Sequence, residues 1–154
     1  YIKHKVRVSL LIIGEGNKKN KLAEYIKMNN LDKIVKIKNH TKNPFPYIKS
    51  ADIFVLSSLF EGLPNVLLEA ITLNCFVIST NCPTGPSEIL DMGKGGLLFK
   101  TSDYKDLSSK ILNFVSNNKK NKNKIKFAHK RLDRFDYNLN LKKYFDTISN
   151  LMKF

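Results

Sequence analysis

The sequence predicts an α/β fold in which a Rossmann-like parallel sheet carries helices on both faces. Three observations lead there. Short runs of strand length are apolar almost throughout, as in VRVSLLII (Val6–Ile13), DIFVLS (Asp52–Ser57) and CFVIS (Cys75–Ser79); that pattern suits strands buried on two sides. Segments with apolar residues at helical spacing lie between them, and such alternation argues for parallel crossover units. Turn formers close the apolar runs, and in sheets of this kind ligands bind beyond the carboxyl ends of the strands. The segments 14–16, 39–46, 57–65 and 80–87 are therefore the loops in which to look for a site.

The elements follow in order. Val6–Ile13 is the first expected strand, and Gly14-Glu15-Gly16 turns the chain after it. Lys18–Asn29 places Leu22, Tyr25 and Ile26 on one helix face and ends in Asn29 and Asn30, which suit a helix stop. Ile34–Ile37 is a second short strand, His40–Pro46 a loop with two prolines, and Tyr47–Ser50 a single helical turn. Asp52–Ser57 is the third strand, and Glu61–Leu73 carries the strongest helix pattern of the chain. Cys75–Ser79 is the fourth strand, Thr80–Pro86 a loop, Ser87–Leu90 the start of a short helix, and Leu97–Phe99 a fifth strand. Asp103–Asn117 aligns Leu107, Ile111, Leu112 and Val115 as an amphipathic helix. The Lys/Asn run Asn117–Lys126 reads as a solvated linker or helix end. Asn138–Phe154 closes the chain as an amphipathic helix through Leu141, Tyr144, Phe145, Ile148 and Leu151. Phe135, Tyr144 and Phe145 are expected in core or interdomain packing.

With 154 residues the chain has room for one domain with a real core. No run approaches the roughly 18–20 apolar residues of a membrane-spanning helix, and no signal peptide is visible. The sequence opens on Tyr1 and enters an apolar strand almost at once, so a piece of a longer protein is expected. Cys75 and Cys82 form no C-x-x-C pair and no zinc-type spacing, which suits two reduced thiols in a cytoplasmic protein. The net charge of +14 is carried almost wholly by lysine, since only Arg7, Arg131 and Arg134 among the 27 basic residues are arginines. Asn is abundant too, and the joint excess fits an AT-rich genome. Nucleic-acid readers favour the planar fork of arginine, and no RNP-type or helix-turn-helix pattern occurs, so no nucleic-acid partner is expected. The charge does favour phosphorylated ligands and an anionic membrane surface.

Two segments carry chemistry. Gly14-Glu15-Gly16 follows a strand, where glycines let backbone amides approach a phosphate or sugar. A dinucleotide fingerprint would need a third glycine where Lys19 stands, and an acid at the end of the second strand, which ends in lysines. The stretch Glu61-Gly62-Leu63-Pro64-Asn65-Val66-Leu67-Leu68-Glu69 sets two carboxylates eight positions apart around a helix start. Pro64 suits a first helical turn, and the amides from about Asn65 to Leu67 are then free to bind an anion such as a diphosphate. A carboxylate accepts two hydrogen bonds at once and so suits vicinal hydroxyls. The segment can therefore hold a phosphate between two polyols, which describes a nucleotide sugar.

This E-x7-E pattern, with Ser57-Ser58 before it and Ala70 after it, resembles the signature of retaining glycosyltransferases of the GT-B fold, family 4. Gly14-Glu15-Gly16, Thr84-Gly85-Pro86-Ser87-Glu88-Ile89-Leu90 and Gly95-Gly96-Leu97-Leu98 are similar to further, looser motifs of that family. The resemblance covers residues 6–150 and implies the C-terminal, donor-binding half of a GT-B enzyme. The chain is then a single nucleotide-sugar-binding domain over residues 1–154, with 136–154 a helix that crosses back toward an absent N-terminal acceptor domain. Of the roles implied, Glu61 holds the donor sugar and is the catalytic residue of the set, while Glu69 binds the nucleotide ribose. The amides of Gly62, Leu63, Asn65 and Val66 face sugar and diphosphate, Gly14 and Gly16 border the diphosphate, and backbone around His40 meets the base. Gly85 and Glu88 border the site with less defined roles; Glu88 also reads simply as an acid at a helix start. No metal and no other cofactor is implied, in keeping with the lack of a D-x-D motif. Where the family usually has Gly after the helix, Asn74 stands here, the residue that best replaces it in a left-handed cap. The family's basic pair of Arg and Lys, which neutralises the leaving diphosphate, has no match upstream, so the chain alone is expected to be inactive.

The expected function is transfer of a hexose or N-acetylhexosamine from a nucleoside-diphosphate sugar, with UDP the expected nucleotide. Transfer goes with retention to a polysaccharide, lipopolysaccharide or lipid-linked acceptor, at the inner face of a bacterial membrane. The alternative is a non-catalytic nucleotide or sugar-phosphate binding module.

Overall fold

Phe76–Thr80 is buried along its whole length, and the larger part of the chain is arranged around it. The computed structural model describes residue 2 and residues 4–152, and their contacts divide the chain into two compact units, one ending at Pro46 and one beginning at Tyr47.

In the first unit, β1 (Leu10–Ile13) pairs in parallel with β2 (Val35–Lys38), from Leu10 opposite Val35 to Ile13 opposite Lys38. The crossover is α1 (Lys19–Met28), which buries Ile26. Asn30 turns left-handed at φ 52° and lets the Leu31 amide reach back to the Ile26 carbonyl at 2.9 Å, closing the helix as the Asn pair predicted. β1 is shorter than the apolar run. Its ladder starts where the Leu10 amide donates to Ile34, because no described strand lies opposite residues 6–9. The expected burial on both faces is also not realised: Leu10 and Leu11 remain 49% and 44% exposed. Within this unit a two-stranded sheet and one crossover helix offer too little to cover them.

The second unit is a three-stranded parallel sheet in the order β3 (Ile53–Leu56), β4 (Phe76–Thr80), β5 (Leu97–Phe99). Alternate residues sort the core into two layers, as the two-residue period of strands requires. Phe54, Leu56, Val77 and Leu98 pack with Ile48, Leu67, Ala70, Ile71, Leu90 and Ala128. On the other face Ile53, Val55, Phe76, Ile78, Leu97 and Phe99 pack with Leu107, Ile111, Phe114 and Ile125; the Phe76 and Phe114 rings lie 4.8 Å apart. Helices thus cover both faces. The first layer takes α2 (Phe45–Ser50), α3 (Asn65–Thr72) and α4 (Pro86–Ile89), and the second takes α5 (Tyr104–Ser116).

Local chemistry accounts for the ends. α2 begins two residues before the expected turn, with Pro46 in its first turn, where a missing N–H costs nothing. Asn43 Oδ1 accepts from the Phe45 amide there at 3.2 Å. Asn74 sits at φ 58° after α3, as expected of a glycine substitute. Asp103 caps α5 by accepting from the amides of Lys105 and Asp106. Arg134 reaches back to the carbonyls of Glu88 and Ile89 and so ties a 3₁₀ turn (Leu132–Phe135) to the end of α4.

The Lys/Asn run is the main correction. Asn118–Lys130 is a regular helix, α6, not a linker. Asn121, Ile125 and Ala128 share one face at four- and three-residue spacing; Asn121 and Ala128 are buried and Ile125 packs against the sheet. The Asn121 amide group donates to the Phe114 carbonyl at 2.6 Å, which satisfies it inside the core. The lysines occupy the rest of the circumference: Lys119, Lys120, Lys122, Lys126 and Lys130 are exposed. The last helix, α7 (Tyr137–Leu151), forms as expected, and all of its residues are exposed, including Tyr144 at 67% and Phe145 at 59%. Those two aromatics therefore take no part in the core, whereas Phe135 packs against the cluster of α3 and β4. The described part of the expected 138–154 helix ends at Met152, and residues 153 and 154 lie outside it.

Candidate functional site

β3 ends at Leu56, and the chain then runs through 57–64 without regular structure before α3 begins. Glu61 and Pro64 stand in that loop. The strongest helix is therefore shorter at its start than the apolar pattern: Glu61 lies outside it, and Pro64 is its N-cap in an extended conformation, φ −71° and ψ 93°. The shortening follows from proline itself, whose ring disfavours a helical residue before it. The first helical hydrogen bond runs from the Leu67 amide to the Pro64 carbonyl at 2.9 Å. The Leu67 amide is thus engaged, against expectation, whereas those of Gly62, Leu63, Asn65 and Val66 have no acceptor among the described residues. No side chain caps this end. A helix start with open amides attracts anions through both the free donors and the aligned peptide dipoles.

Glu69 lies one turn into α3, on the side away from the buried Leu67, Ala70 and Ile71. Glu61 and Glu69 are both half-buried, and neither carboxylate has a hydrogen bond or ion pair among the described residues. Two acceptor-only groups thus stand at either end of a donor-rich backbone stretch. Such a stretch can bind an anion, and each carboxylate can take a pair of hydroxyls.

The loop after β4 closes on this segment. Thr80 Oγ1 donates to the Ser58 carbonyl at 2.8 Å, and Thr84 Oγ1 lies within hydrogen-bonding reach of the Glu61 carbonyl. Gly85 is buried so tightly that a Cβ there would stand 2.2 Å from the Gly62 carbonyl oxygen and 2.5 Å from the Pro64 ring. Gly85 is therefore brought against Gly62 and Pro64. Glu88, in α4, has an exposed side chain, and its carbonyl takes the Arg134 guanidinium. Sequence reasoning missed Thr80 and the part played by Thr84. A threonine at or beyond the end of a strand is too common to stand out, and only its carbonyl partner reveals it.

Gly14, Gly16 and His40 belong to the first unit. The Gly14 amide donates to the Lys38 carbonyl at 3.1 Å, and Lys19 Nζ donates to Asn39 Oδ1. The loops that follow β1 and β2 therefore lie side by side, with His40 exposed on the second of them. Among the described residues no cluster of three or more His, Cys, Asp or Glu is spaced to hold a metal ion, and no helix is long and apolar enough to cross a membrane.

A parallel α/β layer with open amides between two unpaired carboxylates beyond the end of β3 is a Rossmann-like arrangement. The chain belongs to the family of glycosyl transferases group 1, which it matches over residues 2–131. The resemblance carried by the Glu61–Glu69 segment and this match agree. Over 81 residues, 53% of the chain, it is 53% identical to an uncharacterized glycosyltransferase of Methanocaldococcus jannaschii, of which it spans 20%. Over 137 residues, 87% of the chain, it is 30% identical to the N-acetylgalactosamine-N,N'-diacetylbacillosaminyl-diphospho-undecaprenol 4-alpha-N-acetylgalactosaminyltransferase of Campylobacter jejuni, spanning 38% of that enzyme. The fold matches that of a Staphylococcus aureus TarM mutant, crystallised with fondaparinux, alpha-GlcNAc-glycerol and UDP. The TM-score is 0.85 at 26% identity, over 94% of this chain and 30% of TarM. The chain thus spans less than half the length of these relatives.

Proposed function

We propose that this chain is the donor-binding domain of an enzyme that transfers a hexose or N-acetylhexosamine from a UDP-sugar, with retention, to a glycan or lipid-linked acceptor. The observation that carries the reading is the Glu61–Glu69 segment: two unpaired carboxylates around a helix start with open amides, in a chain of this family. Glu69 takes the ribose hydroxyls and Glu61 a hydroxyl of the donor sugar. The amides of Gly62 and Leu63, in the loop, face the donor sugar, and those of Asn65 and Val66, at the start of α3, face the diphosphate. During transfer the bond between the anomeric carbon and the diphosphate oxygen breaks, the acceptor oxygen bonds to that carbon on the same face, and the acceptor hydroxyl's proton leaves on the released UDP. The charge released onto UDP needs preorganised donors, and these amides supply them without a metal ion. Gly85 lies behind the sugar site, and Glu88 stands at its margin. In the whole protein an acceptor-binding domain completes the enzyme. UDP in the TarM crystal, and the diphospho-undecaprenol in the name of the Campylobacter relative, support donor and acceptor class respectively. The exposed lysine face of α6 suits attachment at the inner face of a membrane, where such lipids are used.

The test is a transfer assay on the full-length protein with a panel of UDP-sugars and an undecaprenyl-diphosphate glycan, with the anomeric configuration of the product read by NMR. Transfer with the donor's configuration preserved supports the reading, and an inverted product refutes the retaining mechanism. UDP binding without transfer to any acceptor would favour a non-catalytic binding module.

A further inference from the structure

Glu61 and Gly62 lie on a stretch with no regular structure, yet a donor sugar needs them held within a fraction of an ångström. What holds them is the corner after β4. The Thr84 hydroxyl is shared between the carbonyls of Glu61 and Pro83. Gly85 abuts Gly62 and Pro64 so closely that no other residue fits there without moving the loop. Both corner residues have left-handed backbones, φ 62° at Thr84 and φ 71° at Gly85. Glycine reaches a positive φ without a Cβ clash; for a β-branched residue a positive φ is an outlier, and such outliers persist where surrounding contacts enforce them. The contacts on either side are firm: the Asn81 amide donates to the Phe99 carbonyl, and the Ile89 amide to that of Gly85, each at 2.8 Å. The corner is thus anchored on regular elements and aimed at a stretch that has no regular structure of its own.

We infer that Thr84 and Gly85 are positioning residues for the sugar half of the donor. They set the backbone of Glu61 and Gly62, while Glu69, on the regular turns of α3, holds the nucleotide half without them. The inference rests on the donor-site reading above and divides it in two: recognition of the sugar depends on this corner and recognition of UDP does not.

Three variants of the full-length protein test it: Thr84→Ser, which keeps the hydroxyl; Thr84→Gly, which loses the hydroxyl but accepts the backbone angle; and Gly85→Ala, which drives a methyl group into Gly62 and Pro64. The first readout needs no ligand. Backbone order parameters of the Gly62 and Leu63 amides are expected to fall from about 0.85 to below about 0.6 in Thr84→Gly, with β4 and α5 unchanged and Thr84→Ser like wild type. Unchanged order parameters overturn the inference. So does a loss spread over β4 and α5, which would mean general destabilisation. Should Gly85→Ala fail to fold, Thr84→Gly decides alone. The second readout is calorimetry with UDP and a UDP-sugar. The affinity for UDP is expected to stay within about twofold, while the extra affinity of the UDP-sugar falls about tenfold. A parallel loss of both overturns the inference. Failure of the wild-type protein to bind either ligand would overturn the donor reading itself, and the order parameters, measured without ligand, tell the two failures apart.

Discussion

Replacing Glu69 by alanine removes a carboxylate that no group in the described structure uses. The helix keeps its bond from the Leu73 amide to the backbone carbonyl of residue 69, at 3.0 Å in the native chain, and alanine is the best helix former. The substitution is therefore expected to change stability by less than about 0.5 kcal/mol. Binding is another matter. Two ribose hydroxyls donating to a carboxylate would each contribute about 1.5–3 kcal/mol if fully sheltered. Glu69 is only half-buried, so a combined loss of about 2–3 kcal/mol is expected, a roughly 30- to 150-fold weaker Kd for UDP. Calorimetric titration of UDP into the full-length protein, with thermal melting alongside, measures both quantities. A Kd within about twofold of wild type, at unchanged melting temperature, would refute the assignment of Glu69 to the nucleotide. Glu61→Ala supplies the contrast: UDP binds as before, and the additional affinity of the UDP-sugar is lost.

Further expectations concern the scaffold and its surface. Leu67 is fully buried beneath the helix start, so Leu67→Ala should cost about 2.7–5 kcal/mol as a cavity mutation, read as a urea midpoint shift at constant slope. Burial pushes the Cys75 thiol up to about 11, with the nearby Asp52 charge adding to it and a hydrogen bond with Phe54 backbone opposing it. The folded thiol therefore titrates above the unfolded one. Its contribution to stability is whole below about pH 9 and is lost as the pH rises through about 11; the difference between the wild-type and Cys75→Ala unfolding curves over that interval should show the decline. Charge reversal at Lys119, Lys122 and Lys126 together should abolish sedimentation with phosphatidylserine vesicles at 0.15 M salt, since each lysine near such a surface contributes about 1 kcal/mol. Retention of binding would move the membrane contact away from α6.

The readable parts of this sequence are those whose cause is local. Leu97–Phe99 is a strand within the limits its residues suggest, and Asp103 starts a helix because its own side chain serves the next amides. Asn74 and Asn30 mark left-handed stops for the same local reason. α6 was misread because its core-facing positions are an asparagine, an isoleucine and an alanine among lysines. Asn121 looks like a surface residue until the Phe114 carbonyl that receives it is seen. Leu10 and Leu11 failed in the opposite sense: their apolar character announces burial, but burial depends on what covers them.

The same division runs through the site. The order of the five strands, the two carboxylates and the proline before α3 follow from the sequence alone, because strand period and proline's fixed geometry act over a few residues. That the loop after β4 reaches across to hold Glu61 and Gly62 was decided by tertiary structure. Thr84 and Glu61 are far apart along the chain, and only the parallel pairing of β3 with β4 brings the ends of those strands to the same edge.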